Sequence, residues 1–355
     1  MVLSNHRFLP ILAALLAALM FGLNAPFSKL LLVELPPMFM VACLYTGAGA
    51  GMMLIRLCSR ERKAEASLGK DDLVWILLMI LLDVLAPFLL LWGLKRTAAS
   101  NASLLMNFEM VATSLIALIF FKEAIGRRMW LAMGVITFAG IILSTDIFSL
   151  SSFHFSVGSL FILAACSCWG LENNCTRNMS AKSPAQIVIV KGFGSGLTAL
   201  TISIFTQEIP SFHVRATLLA LLLGFAAYGL SIFFYVKAQR DLGAARTSAY
   251  YSAAPFIGVL LSMLILHEMP NLSFVFAAIL MLYGTYLAIS ENHFHKHYHE
   301  KFTHEHQHIH DDLHHNHPHD ENMAEPHSHI HTHESMIHSH PHAPDIHHRH
   351  GHRHC

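Results

Sequence analysis

Asp83, Glu109, Glu172 and Lys191 are ionisable residues set inside long apolar runs, and their types and positions make them the first candidates for chemistry. A charge in hydrocarbon costs at least about 2.5 kcal/mol, so each marks a place where a partner, a proton or a solute is handled. Glu109 is the most central in its run. On a helix turning about 100° per residue it shares a face with Ala102, Leu105 and Thr113. Ser100, Ser103, Asn107 and Ser114 form the opposite stripe, and small hydroxyl residues suit close helix contact. Glu109 is therefore expected to face the interior, where an ion pair with Lys191 is its simplest structural role. A carboxylate that meets each side of a membrane in turn can also carry a proton between them. Glu109 and Glu172 are the candidates for that coupling.

Other residues invite weaker readings. Glu172 shares a face with Cys168, Trp169, Cys175 and Thr176, and a carboxylate beside thiols suggests a metal site. Cys166 and Cys168 are two apart, however, a spacing that splays side chains on a helix. Asp83 lies four residues before Pro87, which removes one helical hydrogen bond and is expected to kink the helix. Asn24 and Pro26 play the same part near the start of the chain. Tyr250, Tyr251, Ser252 and Pro255 offer aromatic and polar groups suited to a small organic solute. Glu123 and Glu268 end apolar runs beside polar turns, where a carboxylate is expected to cap the next helix. No nucleophile–base pair and no nucleotide-binding motif is present, so an enzyme is not expected.

The last stretch, 291–355, holds all the histidines except His6, His154, His213 and His267. They alternate with other residues: His293, His295, His297 and His299; His304, His306, His308 and His310; His327, His329, His331 and His333; His338, His340 and His342. With so few apolar residues no core can form, and disorder is expected. Neutral imidazoles suit Zn, Ni, Co or Cu ions, so transition-metal binding at this tail is expected, with sensing of cytosolic pH as a second use.

The elements that position these residues are membrane helices. The chain has 355 residues, 54% hydrophobic and 13% charged, against roughly one-quarter charged in soluble domains. Apolar runs of about 20 residues match the thickness of hydrocarbon. Ten spans can be marked: 8–33, 38–57, 73–94, 98–121, 129–148, 157–176, 185–206, 214–236, 245–266 and 272–290. The first is too long for a cleaved signal segment. In lipid each must satisfy its own backbone, so the class is an all-α membrane protein. With both termini cytoplasmic, the inner loops carry Arg56, Arg60, Arg62, Lys63, Lys70, Lys122, Arg127, Arg128, Arg177, Lys182, Lys237 and Arg240, while the outer loops carry Lys95, Arg96 and Arg215. That asymmetry sets the orientation, in a plasma (inner) membrane. The formal net charge of zero gives no footprint for nucleic acid. The cysteines (Cys43, Cys58, Cys166, Cys168, Cys175, Cys355) sit mostly in apolar runs and do not form a disulfide framework.

The sequence repeats itself. Ala98–Ser144 recurs at Gly243–Ile289, with Lys95 on Arg240 and Glu123 on Glu268. Phe21-Gly22-Leu23-Asn24 lies on Trp169-Gly170-Leu171-Glu172, Lys29 on Arg177 and Pro36 on Pro184. Spans 1–5 thus match spans 6–10. Five is odd, so the second copy enters upside down, the inverted repeat of secondary transporters. The divisions are 1–148, 149–290 and the tail 291–355.

Met20-Phe21-Gly22-Leu23-Asn24-Ala25-Pro26-Phe27-Ser28-Lys29 resembles the opening helix of EamA-type carriers of the drug/metabolite transporter superfamily. Phe121-Lys122-Glu123 through Leu131-Ala132-Met133-Gly134, with Phe138-Ala139-Gly140, is similar to that family's helix 4–5 signature, and Leu266-His267-Glu268 with Tyr283-Gly284 to its second copy. Pro270–Phe276 and Glu172 depart from the pattern. The resemblance implies ten helices around a central cavity open alternately to each side. The cavity set read from the spans is Asn24, Asp83, Glu109, Glu172, Lys191 and Tyr251. The leading expectation is a secondary exporter of a small metabolite or amino-acid-like solute, proton-coupled, with a metal-responsive tail and no required cofactor. A transition-metal or metal-chelate exporter, or a non-transporting membrane metal sensor, are the alternatives. The sequence leaves a homodimer open.

Overall fold

The structure is a computed structural model describing residues 5–58, 67–121, 126–145, 156–179, 182–210, 213–242, 247 and 250–289, and in the tail 294–299, 302–308, 327–333 and 336–341. Up to Ile289 its regular elements are helices: α1 (Asn5–Gly22), α2 (Asn24–Leu31), α3 (Pro37–Cys58), α4 (Leu73–Leu94), α5 (Ala99–Leu105), α6 (Phe108–Phe121), α7 (Arg127–Ser144), α8 (Val157–Met179), α9 (Pro184–Phe205), α10 (Val214–Gly224), α11 (Ser231–Leu242), α12 (Ala254–Leu266) and α13 (Leu272–Ile289). Phe225–Leu230 form a π-helical turn between α10 and α11.

Seven stretches among the described residues are long and apolar enough to cross a membrane: Leu9–Leu31, Pro37–Cys58, Lys70–Leu94, Ala99–Phe120, Arg127–Ser144, Pro184–Phe205 and Val214–Ala238. Ala254–Leu266 and Leu272–Ala288 are apolar but shorter. Helix α8, expected as the sixth span, falls outside the set because Glu172, Asn173, Asn174 and Thr176 load its second half with polar groups. Leu77, Leu81 and Leu85 on α4, and Leu218 and Leu222 on α10, stand exposed on the surface of the bundle. Apolar rows of that extent belong against lipid.

Several helices expected to be continuous are broken. The first bends at Leu23, because Pro26 has no N–H for the Gly22 carbonyl four residues back. The fourth breaks at Met106–Asn107, where the Asn107 amide donates to the Leu104 carbonyl at 2.9 Å and competes with the helical ladder. By contrast α4 runs on through Pro87.

Packing follows the repeat. The equivalences α1–α2 with α8, α3 with α9, α4 with α10–α11, α5–α6 with α12 and α7 with α13 map the contacts onto themselves. Helix α4 packs on α8 as α11 packs on α1, and α6 packs on α8 as α12 packs on α1. α3 meets α9, α5 meets α12 and α7 meets α13, each against its own equivalent. Glycines show the same exchange at atomic scale. A Cβ on Gly22 would meet the Ile257 side chain at 2.8 Å, and one on Gly170 would meet Ala112 and Thr113. The repeat lays Gly22 on Gly170 and Ala112 on Ile257.

The described stretches of the tail are four short strands. Strand β1 (Phe294–His299) pairs antiparallel with β4 (Met336–Pro341), and β2 (Phe302–His308) with β3 (His327–His333). Histidine alternating with other residues has the period of a strand. The register sets His295 opposite His340, His297 opposite His338, His304 opposite His331, His306 opposite His329 and His308 opposite His327.

The close seam between α3 and α10 yields a prediction. A Cβ on Gly47 would overlap the Leu221 carbonyl, and one on Gly224 the Leu44 carbonyl, whereas Gly134 has nothing within 4 Å. Gly47→Ala and Gly224→Ala should each lower stability in detergent by about 1–3 kcal/mol. Gly134→Ala should leave the thermal unfolding midpoint unchanged or raised.

Candidate functional site

The centre of the bundle holds a buried charge cluster. Lys191 on α9 places its Nζ 2.9 Å from Glu172 Oε1 on α8 and 3.2 Å from Asp83 Oδ2 on α4. All three side chains are almost wholly buried. Thr176 donates to the same Glu172 oxygen. The Tyr45 hydroxyl on α3 donates to Asp83 Oδ1 at 2.9 Å, while Asp83 Oδ2 takes part in the ion pair without a hydrogen bond among the described residues. One ammonium thus serves two carboxylates, an arrangement one proton short of neutral. Such a group survives in a low-dielectric core because each carboxylate keeps a hydrogen-bond donor and the ammonium is never unpaired. Pro87 adds to this by leaving the Asp83 backbone carbonyl without its helical donor.

The repeat supplies a neutral counterpart. The Asn24 Nδ2 donates to the Tyr228 hydroxyl at 2.9 Å, and Ser28 donates to Asn24 Oδ1 at 3.0 Å. Asn24 is the equivalent of Glu172, and Tyr228 of Asp83. One side of the site is therefore charged and the other is not. Rings join the two: Tyr45 lies 5.1 Å from Tyr228, and Phe21 lies 6.2 Å from Tyr228, 6.2 Å from Trp169 and 5.7 Å from Tyr251. Phe21 and Trp169 are themselves equivalents, meeting across the axis of the repeat.

Glu109 does not pair with Lys191, whose ammonium is taken by Asp83 and Glu172. Its Oε1 accepts from the Asn173 amide at 2.7 Å, and the same amide reaches the Thr113 hydroxyl at 3.5 Å. The break at Met106–Asn107 puts Glu109 in the first turn of α6, where the helix dipole favours a carboxylate. Unlike the central cluster, Glu109 keeps part of its surface accessible. The opposite stripe packs as expected: Ser100, Ser103 and Asn107 are buried, and Ser103 lies against Gly258. Of the expected set, Asp83, Glu172 and Lys191 come together, and Asn24 and Tyr251 join through rings. Glu109 sits beside them on its own partner. Tyr45, Tyr228 and Asn173 had not been singled out. The offset that aligns Asp83 with Tyr228 is the signal that could have marked the second of these.

Cys166 turns towards the Leu105 carbonyl at 3.8 Å, away from Glu172, as the two-residue spacing of the cysteines implied. Among the described residues no group of three or more His, Cys, Asp or Glu converges as metal ligands. Glu123, His293, His310 and His342 lie outside the described residues, and for the histidines of β1–β4 only the backbone register is described.

Glu268 corrects another expectation. It caps no helix of its own half. Its two oxygens accept from the Ala99 and Ser100 N–H groups at 2.8 Å each, at the start of α5. His267, in the left-handed region with φ 53°, ends α12 and makes the turn into Glu268. Beside it Lys29 donates to the Leu94 carbonyl and, at 2.6 Å, to the Thr97 carbonyl. Glu208 accepts from the Met38 N–H at 3.2 Å, and His213 lies 3.4 Å from Glu34. The Glu268, Glu208 and Glu34 contacts clasp the two halves at one end of the bundle, while Lys29 ties α2 to the end of α4 within the first half.

The sequence matches the EamA-like transporter family twice, over residues 8–145 and 156–290. It is 26% identical over 287 residues to an uncharacterized transporter of Methanothermobacter thermautotrophicus, covering 76% of this chain and 83% of that protein. It is 23% identical over 223 residues to the uncharacterized transporter YyaM of Bacillus subtilis, covering 61% and 73%. A solved crystal structure superposes with a TM-score of 0.58 at 17% identity, over 79% of this chain and 96% of that one, a likeness of fold.

The cluster predicts its own dependence on Lys191. Lys191→Met strands two buried carboxylates and should cost about 3–5 kcal/mol, read as a lower unfolding midpoint in detergent. Adding Asp83→Asn and Glu172→Gln to that variant should restore most of the loss.

Proposed function

The chain belongs to the EamA-like transporter family, a multi-pass membrane protein built of two copies of one helical unit, and from that premise we propose that it is a proton-coupled secondary exporter of a small organic solute. Its ten crossings form two inverted five-helix halves, with both ends in the cytoplasm of a plasma membrane. The observation that carries this reading is Lys191 shared between Asp83 and Glu172 at the junction of the halves. A group one proton short of neutral changes its charge when it gains that proton, and the neutral Asn24–Tyr228 side leaves the opposite wall free for solute. Glu109, partly accessible and held by Asn173, is the second titrating group.

Alternating access supplies the cycle. With the amino terminus inside, the end clasped by Glu268, Glu208 and Glu34 faces outward, and in this reading it is the outer gate, closed. Opening requires Glu268 to release the two N–H groups of α5, which then return to water or to a solvated side chain. Two tight carboxylate bonds make that gate a distinct state rather than a gradual loosening.

The tail serves as a collector of transition-metal ions that modulates export. Histidines opposed across β1–β4 and β2–β3 support this, since cross-strand neighbours lie about 5 Å apart. With the chain's carboxyl end inside, the loaded tail would act near the inner mouth.

The test is purified chain in liposomes carrying an internal pH dye, with mixed amines and amino acids as solutes. Wild type should dissipate an imposed pH gradient in the presence of solute. Glu172→Gln and Glu109→Gln should each lose coupling and flatten the pH dependence. Normal exchange with unchanged pH dependence in both variants would remove the proposal. A chain ending at residue 290 should transport normally and lose any response to added Zn²⁺; loss of transport in that truncation would instead make the tail part of the carrier.

A further inference from the structure

The site carries more acid than base, and its walls are aromatic. Asp83, Glu109 and Glu172 face one ammonium, Lys191, which is already engaged by two of them. Glu109 is left with a neutral amide as its partner. Phe21 stands among Trp169, Tyr228 and Tyr251 with ring centroids 5.7–6.2 Å from its own, and Tyr235 lies 4.9 Å from Tyr251. Phe21 and Tyr251 keep part of their surface accessible, as Glu109 does. A small cavity beside Phe21 is lined by Ala25, Ser103, Met106, Ala254 and Pro255. Tyr45, which donates to Asp83, lies 5.1 Å from Tyr228, and Trp169 stands one helical turn before Asn173, the partner of Glu109, which puts the rings and the carboxylates in one neighbourhood.

From this juxtaposition we infer that the solute is an organic cation, an amine or quaternary ammonium with a small apolar body, bound over the Phe21, Trp169 and Tyr251 rings with Glu109 as its counter-ion. This rests on the transport reading and names its substrate class. Ring faces carry negative potential and attract a desolvated cation, which is how aromatic cages select ammonium groups. An anion would meet the same faces, a surplus of carboxylates, and a lysine whose single charge is already outweighed by Asp83 and Glu172. A zwitterion would find a partner for its ammonium and, at the centre, only an occupied cation for its carboxylate. The exchange balances in charge: Glu109 gives up a proton as the cation enters from inside, and takes a proton from outside once the cation has left. One cation out for one proton in is electroneutral, so membrane potential should not drive it.

The test uses the full chain and membrane-impermeant probes: benzyltrimethylammonium and tetraethylammonium as cations, leucine as zwitterion, glutamate as anion. In liposomes with an imposed pH gradient, the cations should collapse the gradient, benzyltrimethylammonium at the lower concentration, with no effect of a potassium diffusion potential. In detergent and weak buffer, benzyltrimethylammonium should displace protons from wild type and none from Glu109→Gln. Phe21→Leu should weaken its apparent affinity about tenfold, the scale of one desolvated cation–π contact, while Phe21→Tyr, which keeps the ring, should retain it. The inference is overturned if leucine or glutamate collapses the gradient and the ammonium probes do not, or if the ammonium probes neither collapse the gradient nor displace protons in detergent. Proton displacement in detergent with no gradient collapse by any probe would keep the cation site and sink the transport reading instead.

Discussion

A lone ammonium between two carboxylates, buried among apolar helices, is the constraint that the rest of this structure answers to. Removing three charged side chains from water is costly, and their mutual attraction repays the cost only when geometry is good and the remaining oxygens find donors. Here the donors are Lys191 from α9, Thr176 from α8 and Tyr45 from α3, and they serve Glu172 on α8 and Asp83 on α4, so four helices meet at the cluster. The cluster therefore ties the halves together at the point where each would otherwise slide past the other. It is a structural lock.

The repeat makes this arrangement possible and also makes it uneven. A pseudo-two-fold places Asn24 and Tyr228 where the other half has Glu172 and Asp83, and the neutral pair forms a direct hydrogen bond where the charged pair needs Lys191 between its members. A symmetric carrier with two such charged sites would have to desolvate twice as many ions. Confining charge to one side leaves the opposite wall to rings and small residues. Phe21 and Trp169, equivalents that touch, mark where the two environments join.

Backbone breaks do the remaining positioning. Pro26 and Asn107 interrupt their helices beside Phe21 and Glu109, and the π turn at Phe225–Leu230 carries Tyr228. Irregular backbone is tolerated at membrane depth where it is buried in protein or lines a cavity. At the end of the bundle the same economy appears in Glu268, which satisfies the free N–H groups of a helix from the other half.

Sequence alone determined the class, the division into halves and the importance of Asp83, Glu172 and Lys191, because an ion in an apolar run is costly wherever the helix is placed and a repeat is visible at fixed offset. It placed Asn107 in a continuous helix, offered Lys191 as an alternative structural partner for Glu109 and gave Glu268 the wrong helix to cap. Those errors share one cause. A one-dimensional pattern shows which face a residue occupies on an ideal helix, and cannot show which of several helices stands opposite that face. Lys191 chose Asp83 and Glu172 over Glu109 because α9 packs against α4 and its lysine reaches Glu172 on α8, while α6 packs on α8 and brings Glu109 against Asn173. Which partner a charge receives was a decision of tertiary packing alone, since only there do Lys191 and Asp83, far apart in the chain, come within 3.2 Å of one another.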